Sequence, residues 1–99
     1  MALALATAFT GAHGQTNPTG GVAVHGQAVF NAPAANQLNV VTQNGAGTSH
    51  SAINWQSFSI APGNSTNFQQ PSSTSTVINR VVTNTPSSIF GTLSSNGRL

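Results

Sequence analysis

The sequence predicts an all-β protein, and three observations support this prediction. Short runs rich in β-branched and aromatic residues recur after Gln15, turn clusters separate them, and no later stretch has apolar residues at helical spacing. Polarity comes from uncharged groups, since Ser, Thr, Asn and Gln make up 42 of the 99 residues whereas Asp, Glu and Lys are absent. Neutral hydrogen-bonding side chains of this kind suit strands and turns.

The first fourteen residues have the character of a signal-peptide remnant. Residues 2–9 form a short apolar run, and Ala12 and Gly14 place small residues before a cleavage site at Gln15. The run is too short to span a bilayer. These residues are therefore predicted to direct export and residues 15–99 to form the exported domain, the alternative being an ordinary buried N-terminal segment.

After Gln15 a turn at residues 17–21 is predicted to lead into three short strands. The first contains the valines at 22 and 24, and the second contains Val29 and Phe30. Pro33 is expected to interrupt the second strand, because proline has no backbone N–H. In the third strand Leu38, Val40 and Thr42 recur at every second position.

Four further strands are predicted in the second half of the chain. Residues 52–60 form the first, and its apolar residues change parity between Trp55 and Phe58, which indicates a bulge or corner near Gln56. The other three are expected around Phe68, over residues 76–82 and over residues 89–93, with turns at residues 62–64 and at Pro86. The predicted core residues are Ile53, Phe58, Ile60, Phe68, Val77, Ile78, Val81, Ile89 and Leu93.

Three architectures fit short strands without helices: a sandwich, a closed barrel and a β-solenoid. Trp55 recurs loosely as Val77 and Phe68 as Ile89, an offset of about twenty residues, which lies in the range of solenoid repeats. Two such pairs leave the choice between a solenoid and a sandwich open.

Five ordered sequence words stand out: INWQSFSI at residues 53–60, TNFQQP at 66–71, INRV at 78–81, PSSIFGTL at 86–93 and SNG at 95–97. In order and in spacing they resemble the N-terminal secretion domain of filamentous-haemagglutinin-like exoproteins, the two-partner secretion or haemagglutination-activity domain. The resemblance covers nearly all of residues 16–99. Ser59, Thr66 and Ile78 depart from the family pattern, which usually has Asn, Val and Leu there.

The resemblance implies a fold and a function. The fold is a right-handed parallel β-helix of which only the N-terminal coils are present. An N-terminal β cap is compatible with this fold. The domain is expected to be truncated at its C-terminal end. The function is that of a secretion and recognition module of a large bacterial exoprotein. Periplasmic recognition domains of an outer-membrane barrel transporter bind such a module, which then nucleates β-helix folding at the cell surface.

Arg80 is the one internal charge of the motif words, and its partner must be solvent, a carbonyl oxygen or a carboxylate of another protein. The apolar motif residues are also simple core candidates, the asparagines are candidates for turn stabilisation, and Trp55 is expected to be a half-buried ring bonded through its indole N–H. The full set of partner-recognition candidates is Asn54, Trp55, Phe58, Asn67, Phe68, Gln70, Pro71, Asn79, Arg80, Val81, Pro86, Ser87, Gly91, Asn96 and Gly97.

Composition argues against several other classes of function. Without Asp or Glu, the chain lacks the paired carboxylates of glycosidases, and three scattered histidines make a weak metal site. No enzyme activity, cofactor or metal is therefore expected. The sequence pI of about 12 reflects missing acids, because the formal net charge is only +2, so no nucleic-acid partner is predicted. No stretch of the mature chain reaches transmembrane length.

Two alternative functions stay open. The chain could belong to a surface adhesin that binds glycans or host protein directly, although adhesion normally resides in a passenger further along such exoproteins. It could also be a nonfunctional gene remnant, since it ends inside the domain that it resembles.

Overall fold

The computed structural model describes residues 16–99, so the predicted signal-peptide remnant and Gln15 lie outside the described residues. The strands are β1 (Val22–His25), β2 (Gln27–Ala34), β3 (Gln37–Gln43), β4 (His50–Trp55), β5 (Ser65–Gln69), β6 (Thr76–Val81) and β7 (Thr92–Ser95). Residues 16–99 contain no helix, and the predicted all-β class is confirmed.

The strands form two mixed sheets, with the orders β1-β4-β6 and β2-β3-β5-β7. From β3 onwards, successive strands along the chain belong alternately to one sheet and the other. The pairs β4/β6, β3/β5 and β5/β7 are parallel, whereas β1 runs antiparallel to β4 and β2 antiparallel to β3. The chain thus winds between the sheets, and each return lays a strand beside the one before it.

The predicted offset of about twenty residues is wrong. Trp55 lies beside Val81 and Phe68 beside Ser95, which gives offsets of 26 and 27 residues. The neighbour of Val77 is Ser51, and that of Ile89 is Ile60. The repeat is longer than predicted because each return includes one strand in each sheet and both connections between them.

A hydrophobic core lies between the two sheets, and most of the predicted core residues belong to it. Alternating burial along β4 directs Ser51, Ile53 and Trp55 inwards. The buried apolar residues are Val40, Ile53, Trp55, Phe58, Ile60, Phe68 and Val77, and Val81 packs partly buried against them. The corner expected near Gln56 is confirmed, because the chain bends there before Phe58 and Ile60 turn inwards.

Three predicted core residues are instead exposed. Ile78 points outwards because its strand neighbours Val77 and Asn79 occupy the inward positions of β6. Ile89 and Leu93 pair with the buried Ile60 and Thr66, yet no described strand covers their other side.

Three predicted strand boundaries are also wrong. Residues 52–60 were expected to form one strand, whereas β4 ends at Trp55. Pro33 lies within β2, because β2 is an edge strand whose pairing with β3 shifts register between Asn31 and Ala34. The last strand begins at Thr92 and not at Ile89, since Ile89 makes only an isolated bridge and the chain bends at Gly91.

Candidate functional site

The first and third sequence words meet in the sheet β1-β4-β6. Trp55 is only 1% exposed, and its Nε1 donates a hydrogen bond of 2.9 Å to Oδ1 of Asn79. Phe30 and Phe58 contact the indole edge-on, each with 5.5 Å between ring centroids. Trp55 is therefore a fully buried core ring, where a half-buried one was expected, and it joins β4 to β6.

The second and fifth words meet through a pair of amides, which we name the Gln70–Asn96 clamp. The backbone N–H of Gln70 donates to Asn96 Oδ1 over 2.7 Å, and Asn96 Nδ2 donates to the backbone oxygen of Gln70 over 3.0 Å. Gln70 Nε2 donates to the backbone oxygen of Arg98 and to Ser95 Oγ, whereas its Oε1 has no partner among residues 16–99. A Cβ at Gly97 would stand 2.7 Å from Gln70 Cδ, so glycine leaves room for the clamp.

The first and fourth words meet at the corner that follows β4. Ile60 and Ile89 form a parallel bridge, and the backbone oxygen of Ile60 accepts hydrogen bonds from the N–H groups of Phe90 and Gly91 at 2.8 and 2.9 Å. A Cβ at Gly91 would collide with the backbone oxygens of Ala61 and Asn64. Only glycine lets the chain pass this close to the backbone of residues 61–64.

The N-terminal strap, residues 16–19, lies across the same corner. The backbone oxygen of Thr16 accepts from Ala61 N–H over 3.0 Å and from Asn64 Nδ2 over 2.8 Å, and Thr19 pairs with Ser57. Thr66 Oγ1 donates to Asn17 Oδ1 over 3.0 Å. The departure of Thr66 from the family's usual Val thus supplies a hydrogen bond. The sequence predicted only a turn here, and no local pattern identifies Asn17 as the partner of Thr66.

The asparagines were expected to stabilise turns, and this is correct only for Asn96. Asn79 lies within β6 and accepts from Trp55, and Asn67 lies within β5 and accepts from Ser94 Oγ over 2.9 Å. Asn54 is at an outward position of β4, where its side chain makes no hydrogen bond within residues 16–99. Three of the four asparagines therefore lie within strands and not in turns.

The partner-recognition candidates do not gather at one point. Trp55, Phe58, Phe68 and Gln70 are buried, and Pro71, Arg80, Pro86 and Ser87 are exposed. Within residues 16–99, no three side chains of His, Cys, Asp or Glu come together as a metal site. The described part of the chain also has no helix long and apolar enough to cross a membrane.

A family model of the TPS (two-partner secretion) secretion domain matches residues 14–99. The chain belongs to this family. The resemblance drawn from the five words is thereby confirmed, and the family is one of secretion modules rather than of catalysts.

The crystal structure of the HMW1 secretion domain from Haemophilus influenzae is similar to this chain. The two are 31% identical with a TM-score of 0.72, over 82% of this chain and 20% of that one. This chain thus corresponds to about a fifth of the length of the HMW1 structure. No match was found among curated proteins.

Proposed function

We propose that this chain is the export-directing part of a large exoprotein of the adhesin or haemagglutinin type. Periplasmic recognition domains of an outer-membrane barrel transporter bind it, and it passes through the periplasm to the cell surface. The observation that supports this proposal most is that all five family words lie at contacts between successive coils. They build a scaffold, which is what a secretion module requires.

The scaffold that we propose is a right-handed parallel β-helix with β1 and β2 as its N-terminal β cap. The three parallel pairs, with offsets of 26 to 28 residues, support a helical winding. The positions of β1 and β2 support the cap. β1 is the first strand of one sheet and β2 the first strand of the other, and each is antiparallel to the strand beside it. Strands of reversed direction end a parallel winding.

At the opposite end of the stack, β6 and β7 serve as the template for the next coil. β7 has a described partner on one side only, and beyond β6 the described chain contributes a single bridge, between Thr76 and Arg98. Ile89, Phe90 and Leu93 are exposed near this end. A following coil would cover these side chains and pair with the free edges, which is how the module nucleates folding of the exoprotein outside the cell.

Export of a reporter tests the proposed function. The full chain, with its N-terminal residues, is fused ahead of a reporter and expressed with and without a two-partner transporter from the same genome. We expect the reporter at the cell surface or in the medium only when the transporter is present. Gly91→Val should abolish export because the side chain has no room, whereas Asn84→Ala, at an exposed turn, should not.

Two results of this experiment would contradict the proposal. If the reporter leaves the cell equally well without any transporter, the chain does not direct two-partner export. If purified chain binds cells or glycans while export never depends on a transporter, the adhesin alternative explains it better.

A further inference from the structure

The outer face of the sheet β1-β4-β6 carries an unusual set of side chains. The in-register pairs place Val22 and Arg80 on either side of Asn54, and a second row runs from His50 through Thr76 to Arg98. These residues alternate with the buried ones, so they point away from the core. We name this surface the cationic face: Val22, His25, His50, Asn54, Ile78, Arg80 and Arg98.

The cationic face contains all the fixed positive charge of the sequence, because Arg80 and Arg98 are its only Lys or Arg residues. Both histidines of the described chain also lie here, with their rings stacked 4.5 Å apart. The outer rows of the other sheet are uncharged and hydrogen-bonding, namely Gln37, Ser65 and Thr92, and Asn39, Asn67 and Ser94. Charge is therefore confined to one side of the stack.

Neither arginine has an ionic partner in the chain, because the sequence contains no Asp or Glu. Val22 and Ile78 lie on the same surface and are 60% and 47% exposed. A guanidinium forms its strongest hydrogen bonds with carboxylates, often two at a time. Exposed β-branched side chains beside unpaired arginines thus form a surface that is complementary to carboxylates flanked by apolar side chains.

We propose that the cationic face is a docking surface for a protein partner whose contact surface carries Asp or Glu carboxylates beside apolar side chains. The inference rests on the proposed function, which makes that partner the periplasmic domains of the transporter. A membrane is a poorer match, since recognition of anionic lipid usually needs a cluster of four to eight basic residues. Because no acid of this chain competes, docking breaks no internal ion pair.

Binding of the full chain to purified periplasmic domains of the exporting transporter tests this proposal. In about 50 mM salt, Arg80→Gln and Arg98→Gln should each weaken binding roughly threefold to fivefold, as expected for exposed charge pairs. In about 0.5 M salt the difference should largely vanish, because screening shortens the reach of these charges. Ile78→Thr should weaken binding at both salt concentrations, since it removes apolar contact and keeps strand propensity.

A relocated charge supplies the matched control. Arg80→Gln combined with Gln69→Arg keeps the net charge but moves it to the outward position of β5 on the opposite sheet. We expect this double variant to bind as weakly as Arg80→Gln alone. Wild-type affinity in the double variant would overturn the proposal, because net charge would then suffice. Circular dichroism verifies that each variant keeps the fold.

Two further outcomes separate this inference from the proposed function. If export depends on the transporter but neither arginine variant changes binding to the periplasmic domains, the cationic face is not the docking surface and the proposed function stands. If the chain binds vesicles of phosphatidylglycerol and phosphatidylcholine more tightly than it binds the periplasmic domains, the partner is a membrane and the inference is overturned.

Discussion

Asn96 acts as a substitute for a neighbouring strand. β5 ends at Gln69 and β7 at Ser95, so regular pairing stops just before Gln70. The amide of Asn96 then accepts from Gln70 N–H and donates to the backbone oxygen of Gln70, the two bonds that a paired backbone would supply. An ionised carboxylate can only accept, which explains why an amide is suited to this position.

Removing the amide should therefore destabilise the fold. Asn96→Ala leaves two backbone groups of Gln70 without partners, and we expect a loss of about 1–3 kcal/mol in the free energy of unfolding. Asn96→Asp keeps an acceptor and loses the donor, so it should also destabilise. Urea denaturation followed by the fluorescence of Trp55, the only Trp in the sequence, measures both changes. Asn84→Ala, at an exposed turn, is the control, and equal stability of Asn96→Ala and Asn84→Ala would refute the clamp.

The indole N–H of Trp55 should be coupled to Asn79. Trp55→Phe keeps an aromatic ring but leaves Asn79 Oδ1 without its donor, and we expect a cost of about 1–3 kcal/mol. Asn79→Ala should cost less in the Trp55→Phe background than in the wild type, by about 0.5–3 kcal/mol. Denaturation followed by circular dichroism gives the four stabilities of the cycle. Strictly additive effects would mean that the two side chains do not interact.

At the scale of elements, the N-terminal strap completes the corner that follows β4. Thr66 and Asn64 are 0% and 3% exposed, and the strap supplies the partner of each side chain. A buried hydroxyl or amide without a partner is costly. The strap is thus part of the folded unit, even though the sequence marks it only as a turn.

A pair of substitutions tests the strap. Asn17→Ala should cost about 1–2 kcal/mol, because Thr66 Oγ1 loses its partner. Adding Thr66→Val, which restores the residue usual in the family, should recover most of that loss, since the buried hydroxyl is then gone. Hydrogen exchange at the amide of Ala61, which donates to Thr16, reports strap docking directly. If Thr66→Val does not restore the free energy of unfolding lost in Asn17→Ala, Asn17 is not the hydrogen-bond partner of Thr66.

The sequence allowed the elements with strong local signals to be predicted. β3 to β6 follow runs of alternating or β-branched residues, and the corner at Gln56 follows a change in parity. Pro33 was misjudged because its tolerance depends on β2 being an edge strand, which is a property of the sheet. The offset was misjudged because Val77 and Val81 both occupy inward positions of the same strand, and only the pairing of β4 with β6 decides which of them lies beside Trp55.

The candidate site was predictable to a similar degree. The resemblance identified the five words, but the roles of Asn79 and Asn96 depend on partners more than twenty residues away. The exposed position of Arg80 was among the alternatives, since a lone charge needs solvent or a partner. That both arginines share one sheet face follows from strand register, which a single sequence does not reveal.

At the scale of the whole molecule, stability comes from contacts between the two sheets and between neighbouring strands within each sheet. A chain with two fixed charges and no cysteine has neither ion-pair networks nor disulfides to draw on. What remains is apolar burial between the sheets, together with neutral hydrogen bonds that join neighbouring strands and their ends.

The parallel register of the winding is the central claim, and cysteine cross-linking tests it most directly in this cysteine-free chain. Asn39 lies beside Asn67, and Asn67 beside Ser94, all at outward positions, whereas Asn39 and Ser94 are separated by a whole strand. Adjacent strands are about 4.8 Å apart, which a disulfide can span, whereas twice that distance is too far. We predict that Asn39→Cys/Asn67→Cys and Asn67→Cys/Ser94→Cys form disulfides on mild oxidation and that Asn39→Cys/Ser94→Cys does not. Efficient linkage of Asn39→Cys/Ser94→Cys, with none in the other two pairs, would contradict the winding.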